Sequence, residues 1–493
     1  MYWANLLHIY QPPNQIPDIL ERIVNESYRA LIHGLKTNPK AKLTLNLNAC
    51  LTELLARKGY LDVIKTLKFL AKRGQLEFTE TAKYHPFLPK LPEKEIVRQI
   101  KLNYSTNKKY FGATYQPQGF FSPEMAYSKK LAKIVNGLGY KWLIIDEIAY
   151  NGKKASIDFS QIYKLKNSKN FYVFFKNERY SNLIAGAITR SVPSFIKELG
   201  KDYSKDKYII TAMDGETFGH HRPGLDEFLF NLYASKKFTS IFVSEIPNYF
   251  SNQEIVDPLP STWSCNTEDL KNNLPYKLWY QPDNPIHQLQ WQFLYWSLKT
   301  VESLKPKNSH HYKKARKLLD AALNSCHFWW ASKYWWSLEI IEQGAYDFYQ
   351  VSVATNSAKL IKKAKDYYQK ILSLAFQWQR DGTIRKFHKD KEFWQKTPFK
   401  NRTPKEWFNQ IILEFEDEMK KAASAQEYEK AIKWRDAVIK LKSGVDVYDV
   451  LHIVNELNTV RKIPSLKPFL QHKKFSKFTL KYFQPHPYLK NKK

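Results

Sequence analysis

The sequence predicts an α/β fold, in which an incomplete (β/α)7 TIM-like barrel is followed by an α-helical domain and a helical hairpin. The first observation is that residues 1–260 alternate short β-rich runs with longer stretches of helical periodicity, which is typical of a parallel sheet. The second is that strand signals fade after about Pro260, where aromatic-rich helical stretches begin. A length of 493 residues leaves room for two or three such folding units.

The barrel prediction rests on seven segments with the composition of strands. Polar residues follow strand after strand, and His8, Glu124 and Asp214 are among them. In a barrel all strand ends meet at one rim, whereas in an open doubly wound sheet only the strands at the switch point build a site. The even spread therefore favours the barrel. The predicted strands are Tyr2–Leu7, Lys42–Leu47, Gln75–Thr79, Gln118–Phe121, Lys141–Ile145, Phe171–Phe175 and Tyr208–Met213.

The region after the barrel is rich in tryptophan, with the pairs Trp329-Trp330 and Trp335-Trp336 near a join between helical patterns. Tryptophan at this density usually forms core between packed helices, but an indole ring can also stack on a sugar. Both interpretations stay open. The predicted helices lie within Ile286–Leu304, Lys313–Trp336 and Ala358–Trp378. The predicted domains are a catalytic barrel over 1–260, an α-helical domain completing the active site over 261–402, a hairpin over 403–444 and a basic tail over 445–493.

Composition places the chain among ordinary globular proteins, because hydrophobic residues make up 43% and charged residues 25% of it. There is no apolar run of about 18 residues that could span a membrane, and the first residues lack the basic and apolar regions of a signal peptide. Three cysteines without a CxxC pair argue against a disulfide framework or a zinc ribbon. We therefore expect a cytoplasmic protein without membrane association.

The net charge of +31 could indicate binding to nucleic acid or another polyanion. Much of it is spread over the chain, as in a protein with many solvated lysines, but residues 461–493 contain ten basic residues and no acidic one. No recognised nucleic-acid-binding fold accompanies this tail. Nucleic-acid binding therefore ranks last among the functions considered, and the tail could equally dock on the protein body.

Glu124 and Asp214 are the strongest candidates for catalytic residues. Each follows an apolar strand directly, and two carboxyl groups facing each other across a barrel mouth are what cleavage of a glycosidic bond requires. Taken alone the pattern is weak, because an acid at a strand end often caps a loop. Metal and serine mechanisms rank lower, since no two histidines are three or four residues apart and no GxSxG motif occurs. We expect no metal and no cofactor.

At these residues the chain resembles glycoside hydrolase family 57, whose members combine an incomplete (β/α)7 barrel with a helical domain and act on α-glycans with retention of configuration. The likeness covers roughly the first three-quarters of the chain, and Tyr10 departs from it, standing where a second histidine is common. The segments that resemble the family's five motifs are Leu7–Pro12, Gly74–Glu77, Phe121–Glu124, Asp214–His220 and, more loosely, Leu323–Trp330.

The resemblance implies roles for individual residues. Glu124 would be the nucleophile and Asp214 the acid/base, with the two carboxyl groups about 5–5.5 Å apart. Asp146 and Arg179 are added from the strand pattern alone, and for both a salt bridge that only supports the site is an equal alternative. The residues expected to bind the sugar are His8, Gln11, Glu77, Glu216, His220, Trp329 and Trp330.

A second resemblance lies in residues 403–444, where the segments Leu413–Ala423, Glu427–Ala431 and Trp434–Asp436 are similar to the UVR motif. That motif is a helical hairpin of nucleotide-excision-repair proteins and some protease adaptors, and it implies docking of a protein partner. A plain two-helix appendage is an equal alternative. The pattern also predicts that Ser424 caps the start of the second helix.

The sequence thus predicts an enzyme that cleaves or transfers α-glucosidic bonds of a starch-like or glycogen-like glucan, as an α-amylase, a 4-α-glucanotransferase or a branching enzyme does. An α-galactosidase is also possible. The alternative from another class is a glycan-binding or scaffold protein with a retired active site, acting through the hairpin and the tail. Retention of both Glu124 and Asp214 speaks against that alternative.

Overall fold

The computed structural model describes residues 1–386, 399–402, 404–443 and 463–465. Packing divides the chain into two units, one of residues 1–185 and 195–387 and the other of residues 186–194 and 388–493. The boundary predicted between residues 260 and 261 falls inside the first unit, because the barrel and the helices that follow it share one hydrophobic core. Most of the predicted basic tail lies outside the described residues.

The described residues contain all seven predicted strands, with ends displaced by no more than two residues. Three further strands, β6, β9 and β10, were not predicted. The strands are β1 (Tyr2–Ile9), β2 (Leu43–Leu47), β3 (Leu76–Thr79), β4 (Gly119–Phe121), β5 (Trp142–Asp146), β6 (Ile162–Leu165), β7 (Tyr172–Lys176), β8 (Tyr208–Asp214), β9 (Thr239–Ile241) and β10 (Gln253–Val256).

The seven predicted strands run parallel in two curved sheets. One sheet has the order β3-β2-β1-β8, and β9 pairs with the beginning of β1. The other has the order β10-β6-β7-β5-β4, in which β6 is antiparallel to β7. Burial of these parallel strands explains their near-continuous apolar sequences, since helices cover the outside of a barrel and side chains fill its inside.

Main-chain hydrogen bonds join the two sheets at both edges. At one edge, the Glu80 amide donates to the Gly119 carbonyl at 2.8 Å and the Phe121 amide donates to the Glu80 carbonyl at 2.9 Å. At the other, the Asn177 amide donates to the Ile210 carbonyl at 2.8 Å. Together these junctions produce the incomplete (β/α)7 barrel that the sequence predicts.

Helices connect the barrel strands and dominate the chain after residue 284. Within the described residues the α-helices of the first unit are α1 (Pro17–Ile23), α2 (Arg29–Thr37), α3 (Ala49–Arg57), α4 (Leu61–Lys72), α5 (Glu93–Phe111), α6 (Lys129–Gly137), α7 (Glu178–Ala185), α8 (Val192–Leu199, whose first residues belong to the second unit), α9 (Leu225–Ala234), α10 (Thr267–Lys271), α11 (Pro285–Ser303), α12 (His310–Ala322), α13 (Cys326–Trp329), α14 (Leu338–Val353) and α15 (Ala358–Arg380).

The helix predicted over Lys313–Trp336 is broken in the structure. Helix α12 ends at Ala322, and α13 is a single turn. The break has a physical cause, because Asn324 pairs with Pro86 and the Ser325 amide donates to the His85 carbonyl at 2.9 Å. These bonds use backbone groups that a continuous helix would need, and they fix the helical region to the loop after β3.

The second unit contains the short helix α16 (Phe399–Arg402) and the predicted hairpin, which is formed by α17 (Lys405–Ser424) and α18 (Tyr428–Ser443). Phe415 packs against the buried Trp434 with ring centroids 5.1 Å apart. The cap predicted at Ser424 is wrong, since α17 continues through this residue and the turn comes at Gln426, whose φ is 58°. Tyr428 and Ile432 of α18 are 65% and 47% exposed. The protein partner stays a prediction.

Across the described residues, every helix is too short or too polar to cross a membrane. The three cysteines are free thiols; Cys50 and Cys265 are buried and Cys326 is partly buried. Neither observation tests the predicted cytoplasmic location.

Glu80, at the junction between β3 and β4, has a fully buried carboxyl group. Its Oε1 accepts hydrogen bonds from Asn103 Nδ2 at 2.5 Å, the Thr81 amide at 3.1 Å and Tyr115 Oη at 3.3 Å. Burial nevertheless raises the pKa of Glu80 from its ordinary value of 4.5 to about 8. Between these two values the folded protein holds a proton that the unfolded chain has released, so the contribution of Glu80 to stability falls as the pH rises through this window.

We expect Glu80→Gln to weaken this pH dependence. Near pH 5 the variant should match the parent, and at pH 9 its free energy of unfolding should be higher by on the order of 2 kcal/mol, because no buried carboxylate has to form. Urea unfolding at both pH values measures the difference. Glu93→Gln, in the exposed first turn of α5, serves as the control. An equal difference between parent and Glu80→Gln at the two pH values would contradict the assignment.

Candidate active site

The register of β1 brings three polar side chains to one level of the barrel. His8 lies beside Asn46 of β2 on one side and beside Asp214 of β8 on the other. The side chain of His8 is buried, and its Nδ1 lies 2.6 Å from Asn46 Oδ1. Burial lowers the pKa of His8 to about 4, so its ring is neutral at pH 7.

Glu124 follows β4 in a backbone conformation that is rare for its residue type. Its φ and ψ are 60° and 16°, in the left-handed region, and Met125 after it also has a positive φ of 48°. Such conformations cost on the order of 1 kcal/mol each outside glycine and are common at functional sites. Here the turn directs the carboxyl group of Glu124 into the barrel mouth, where 16% of the side chain stays exposed.

Trp263, from the segment after β10, holds Glu124 at two points. Its amide donates to the Glu124 carbonyl at 3.3 Å, and its indole Nε1 donates to Glu124 Oε2 at 3.2 Å. The other oxygen, Oε1, lies 3.4 Å from Ser325 Oγ and 3.8 Å from His85 Nδ1. Three segments distant in sequence therefore fix one carboxyl group.

Burial raises the pKa of both Glu124 and Asp214. Burial is the main cause that raises the pKa of Glu124 to about 8, and the charge of Asp214 adds to it. Burial also raises the pKa of Asp214 to about 6, against the opposing charge of Lys176. Between these two pKa values the two carboxyl groups together hold about one proton.

Glu216, just after Asp214 in the chain, is buried, and its Oε1 oxygen has three hydrogen-bond donors. Its Oε1 accepts hydrogen bonds from Tyr28 Oη, from Gln11 Nε2 at 3.1 Å and from the Tyr10 amide at 3.4 Å. Burial, together with the charge of Asp214, raises the pKa of Glu216 to about 7. The predicted sugar-binding residues Gln11 and Glu216 are thus brought together, next to the candidate acid/base.

His220 and Glu77, both predicted to bind the sugar, form hydrogen bonds with other protein side chains. Nδ1 of His220 is paired with Glu26 Oε2 at 2.5 Å, and this partly buried imidazole lowers the pKa of Glu26. Glu77 lies within β3 and is paired with Thr44 of β2, which comes two residues before Asn46. Its carboxylate accepts hydrogen bonds from Thr44 Oγ1 at 2.7 Å and from Ser244 Oγ at 2.5 Å. This placement does not support the sugar contact implied for Glu77.

The two tryptophans predicted at the sugar site form a small aromatic cluster. Trp329 stacks on Trp335 with centroids 4.7 Å apart and meets Trp330 edge-on at 4.8 Å. Both Trp329 and Trp330 are partly exposed, which leaves the stacking role open. The residue of this segment that reaches Glu124 is Ser325.

Asp146 and Arg179 are both engaged in salt bridges. Asp146 Oδ2 lies 3.2 Å from Lys176 Nζ, and both side chains are almost fully buried. Arg179 pairs with Glu198 at 2.7 Å. Lys176 also lies over the Trp263 ring, 5.8 Å from its centroid, so it contacts the residue that holds Glu124 and affects the ionisation of Asp214.

Sequence reasoning missed His85, Trp263, Ser325 and Lys176. His85 lies in a loop after β3, where the sequence offers only the following Pro86 as a local signal. Trp263 lies just past the predicted end of the barrel. Ser325 belongs to Leu323–Trp330, the segment that resembles its family motif most loosely. In that segment Trp329 and Trp330 were predicted to bind the sugar, and Ser325 was not. His85, Trp263 and Ser325 reach the site only through tertiary packing, which a local pattern does not report. Lys176 is different, because it lies at the end of β7 and follows a predicted strand directly.

Groups of three or more histidine, cysteine, aspartate or glutamate side chains arranged to bind a metal were not found among the described residues. The expectation that the protein needs no metal and no cofactor stays a prediction. What the site offers chemically is a pair of carboxyl groups with one proton, together with neutral imidazoles and hydrogen-bond donors around them.

A parallel barrel with two partly buried carboxyl groups at the ends of its strands has the architecture of barrel enzymes that act on glycosidic bonds. Comparison with known families agrees with it. The family described as glycosyl hydrolase family 57 matches residues 3–257, just over half of the chain, and this chain belongs to that family. The UvrB/uvrC motif matches residues 409–444, in the predicted hairpin.

Individual relatives are distant. An α-amylase of Pyrococcus horikoshii is 25% identical over 263 residues, which cover 51% of this chain and 40% of that protein. α-Amylase 1 of Dictyoglomus thermophilum is 27% identical over 222 residues, which cover 44% of this chain and 32% of that protein. The matches thus span less than half the length of these two relatives.

Solved structures share the fold. The 4-α-glucanotransferase of Thermococcus litoralis superposes with a TM-score of 0.58 at 19% identity, over 71% of this chain and 57% of that one. A family 57 branching enzyme of Thermococcus kodakaraensis gives 0.59 at 14% identity, over 74% and 94%. The similarity extends beyond the barrel into the helical region, as the predicted fold requires.

We expect Lys176→Met to destabilise the protein more at pH 8 than at pH 5. At pH 8 the variant leaves the Asp146 carboxylate buried without its partner, which should lower the free energy of unfolding by about 3 kcal/mol. At pH 5 Asp146 takes up a proton and the loss should be smaller, because burial already raises the pKa of Asp146 to about 6. Denaturant unfolding at the two pH values measures both.

The double variant Asp146→Asn/Lys176→Met should recover most of the loss at pH 8, since it buries no charge. Lys141→Met, at an exposed position before β5, controls for loss of a surface lysine. A loss that is the same at both pH values, or that the double variant leaves in place, would refute the ion pair as its cause.

Proposed function

We propose that this protein cleaves or transfers α-glucosidic bonds in a starch-like or glycogen-like glucan, with retention of configuration. The observation that carries the proposal is the placement of Glu124 and Asp214 at the ends of β4 and β8, where the charge of Asp214 contributes to the raised pKa of Glu124. Membership of glycosyl hydrolase family 57 supports it, and so do the names of the relatives, which include α-amylases, 4-α-glucanotransferases and a branching enzyme.

The proposed reaction is a double displacement. Glu124 attacks the anomeric carbon and forms a β-glycosyl-enzyme, while Asp214 gives its proton to the departing glycosidic oxygen. Asp214 then takes a proton from water or from a sugar hydroxyl, whose oxygen displaces Glu124 and restores the α configuration. The carboxyl separation of about 5–5.5 Å that this reaction requires stays a prediction.

The first step requires ionised Glu124 and protonated Asp214. Because the pKa of Glu124 is the higher of the two, this requires a proton to move from Glu124 to Asp214. The proton count of the pair is already correct, so substrate binding need only shift the proton within the pair. The Trp263 indole, which donates to Glu124 Oε2, stabilises the ionised form that attacks.

The sugar contacts form the second part of the proposal. His8, Gln11 and Glu216 lie beside Asp214 and would bind hydroxyl groups of the sugar at the point of cleavage. His220 and the aromatic pair Trp329 and Trp330 would act further from the cleaved bond, if the sugar chain extends toward the helical region. Glu77 is left out because it bonds within the barrel wall.

The direct test is incubation of the purified protein with maltoheptaose, followed by separation of the products by chain length. Glu124→Gln should lose activity by on the order of a thousandfold or more, because the amide keeps the hydrogen bond from Trp263 but cannot form the glycosyl ester. Shorter sugars alone indicate a hydrolase, and a ladder of shorter and longer sugars indicates a glucanotransferase.

Glu254→Gln is the matched control, because this carboxylate on β10 accepts hydrogen bonds from Tyr150 and Gln161 away from the paired acids. It should keep the parent's activity. Unchanged activity of Glu124→Gln would overturn the role of Glu124. If the parent leaves maltoheptaose unchanged, amylose assayed for new branch points tests the branching reaction, and absence of turnover there would favour the glycan-binding alternative.

The pH dependence provides an independent check. Because activity requires one proton on the pair, kcat/KM should fall below about pH 6, where both carboxyl groups are protonated, and above about pH 8, where both are ionised. Initial rates from pH 4 to 10 measure the profile. Glu254→Gln should leave both limbs in place, and a profile flat across this range would contradict the shared proton.

A further inference from the structure

We propose that a cleft beside α6 binds a small phosphorylated sugar. The cleft lies between α6 and the turn that joins β6 to β7, and its volume is about 460 Å³. Among the described residues, those that line it are separate from the residues of the candidate active site. The inference does not depend on the proposed function, because binding to this cleft can be measured without any glucan.

Two lysine side chains of the lining have no partner within the protein. Lys133 lies on the exposed face of α6, and Lys166 is the first residue after β6. Neither makes a hydrogen bond or an ion pair within the part of the chain that the structure describes. Two ammonium groups from separate elements thus line one cleft, and a phosphate monoester, with close to two negative charges, matches them in charge.

A third lysine of the lining is already paired. Lys129 Nζ lies 2.6 Å from Asp257 Oδ2, so these two charges compensate each other. The charge left for a ligand is therefore that of Lys133 and Lys166. The Asp257 carboxylate adds oxygens that can accept hydrogen bonds from sugar hydroxyl groups, which a site for a bare anion would not need.

The wall of the cleft also contains a tyrosine whose hydroxyl group has no partner. Tyr127 is 1% exposed, and its Oη makes no hydrogen bond among the described residues. Burial raises the pKa of Tyr127, and the charge of Asp257 adds to this, so the hydroxyl group keeps its proton and can donate it. Because a buried polar group without a partner is costly, an oxygen of a bound ligand would supply what the protein lacks.

The position of Tyr127 is fixed by its backbone and by its ring. Its amide donates to the Ser261 carbonyl at 2.8 Å, and its carbonyl accepts a hydrogen bond from Tyr276 Oη at 2.6 Å. The ring packs in the hydrophobic core that the barrel shares with the helical region. The hydroxyl group is therefore in place before a ligand arrives, and a ligand does not have to order it on binding.

The uncharged polar groups of the lining suit the hydroxyl groups of a sugar. Asn136 lies one turn after Lys133 on the same face of α6, and Asn167 lies in the turn after β6 with a φ of 61°. Their side-chain amides make no hydrogen bond within the described residues, so each offers donors and an acceptor. Ser168 Oγ donates to the Leu165 carbonyl at 2.6 Å and can still accept.

The size of the cleft and its aromatic content narrow the class of ligand further. A volume of about 460 Å³ lies in the range of about 300–1,000 Å³ that is typical of small-molecule sites, and inorganic phosphate alone would leave most of it empty. Among the described residues of the lining only Tyr127 is aromatic, and its ring is buried, so a nucleotide base would find no surface to stack on. A sugar that carries a phosphate group uses both the lysines and the amides.

Titration calorimetry of the full-length protein tests the assignment, with glucose 1-phosphate and glucose 6-phosphate as probes. At least one of them should bind saturably, and Lys133→Gln and Lys166→Gln should each weaken that binding by about tenfold, because each removes a charge-assisted hydrogen bond. Lys169→Gln is the matched control, since Lys169 is exposed in the same turn but lies outside the lining. It should leave the affinity unchanged.

Tyr127→Phe provides a second measurement that does not change the charge of the cleft. The variant removes only a hydroxyl group without a partner, so its free energy of unfolding should be no lower than that of the parent. Binding of the sugar phosphate should nevertheless weaken by about threefold or more, because a neutral hydrogen bond to the ligand is lost. Unchanged affinity in a folded Tyr127→Phe variant would contradict the role of this hydroxyl group.

Inorganic phosphate distinguishes a sugar phosphate site from an adventitious ion only. It should bind more weakly than the better sugar phosphate by about tenfold or more, because it leaves the amides of the cleft without partners. Equal affinity for inorganic phosphate, an equal loss in Lys169→Gln, or no saturable binding of either sugar phosphate would overturn the proposal. A lack of glucan turnover would count against the proposed function alone and would leave these binding measurements valid.

Discussion

The position of β1 between β2 and β8 is the constraint on which the site depends. Parallel pairing on both sides fixes His8 level with Asn46 and with Asp214, and a slip by one residue would reverse every side chain of the strand. From this level His8 reaches His85, and Asp214 interacts electrostatically with Glu124. The polar mouth of the barrel is thus arranged by backbone register first and by side-chain contacts second.

The sequence identifies the seven barrel strands because each is a short apolar run buried on both faces. It does not identify β6, β9 and β10, which are short, carry exposed or charged residues and pair at the outer edge of the sheets or at the beginning of β1. The break between α12 and α13 was missed for a related reason. Helical periodicity continues across it, but the backbone groups of residues 324 and 325 bond to the loop after β3.

The site was predicted in part. Glu124 and Asp214 are recognisable because acids that follow buried strands of a barrel meet at one rim. Glu77 is also an acid in a strand segment, but it lies within β3 and not at its end. It is paired with Thr44, two residues before Asn46 on β2. His85, Trp263 and Ser325 come from loops whose local sequence carries no sign of their common target. Their roles follow from distances to a single carboxyl group, and those distances exist only in the folded chain.

Glu124 and Asp214 come from the barrel, whereas Trp263 and Ser325, which contact Glu124, come from later in the chain. This order has a consequence for biosynthesis. A ribosome that has released only the first 260 residues has produced both acids, but it has not yet produced the indole that orients Glu124 or the hydroxyl beside it. The nascent barrel therefore emerges with an unfinished site, and the carboxyl group of Glu124 is oriented only after residue 325 has joined the fold. Timing of this kind would delay completion of the site until the helical region is in place.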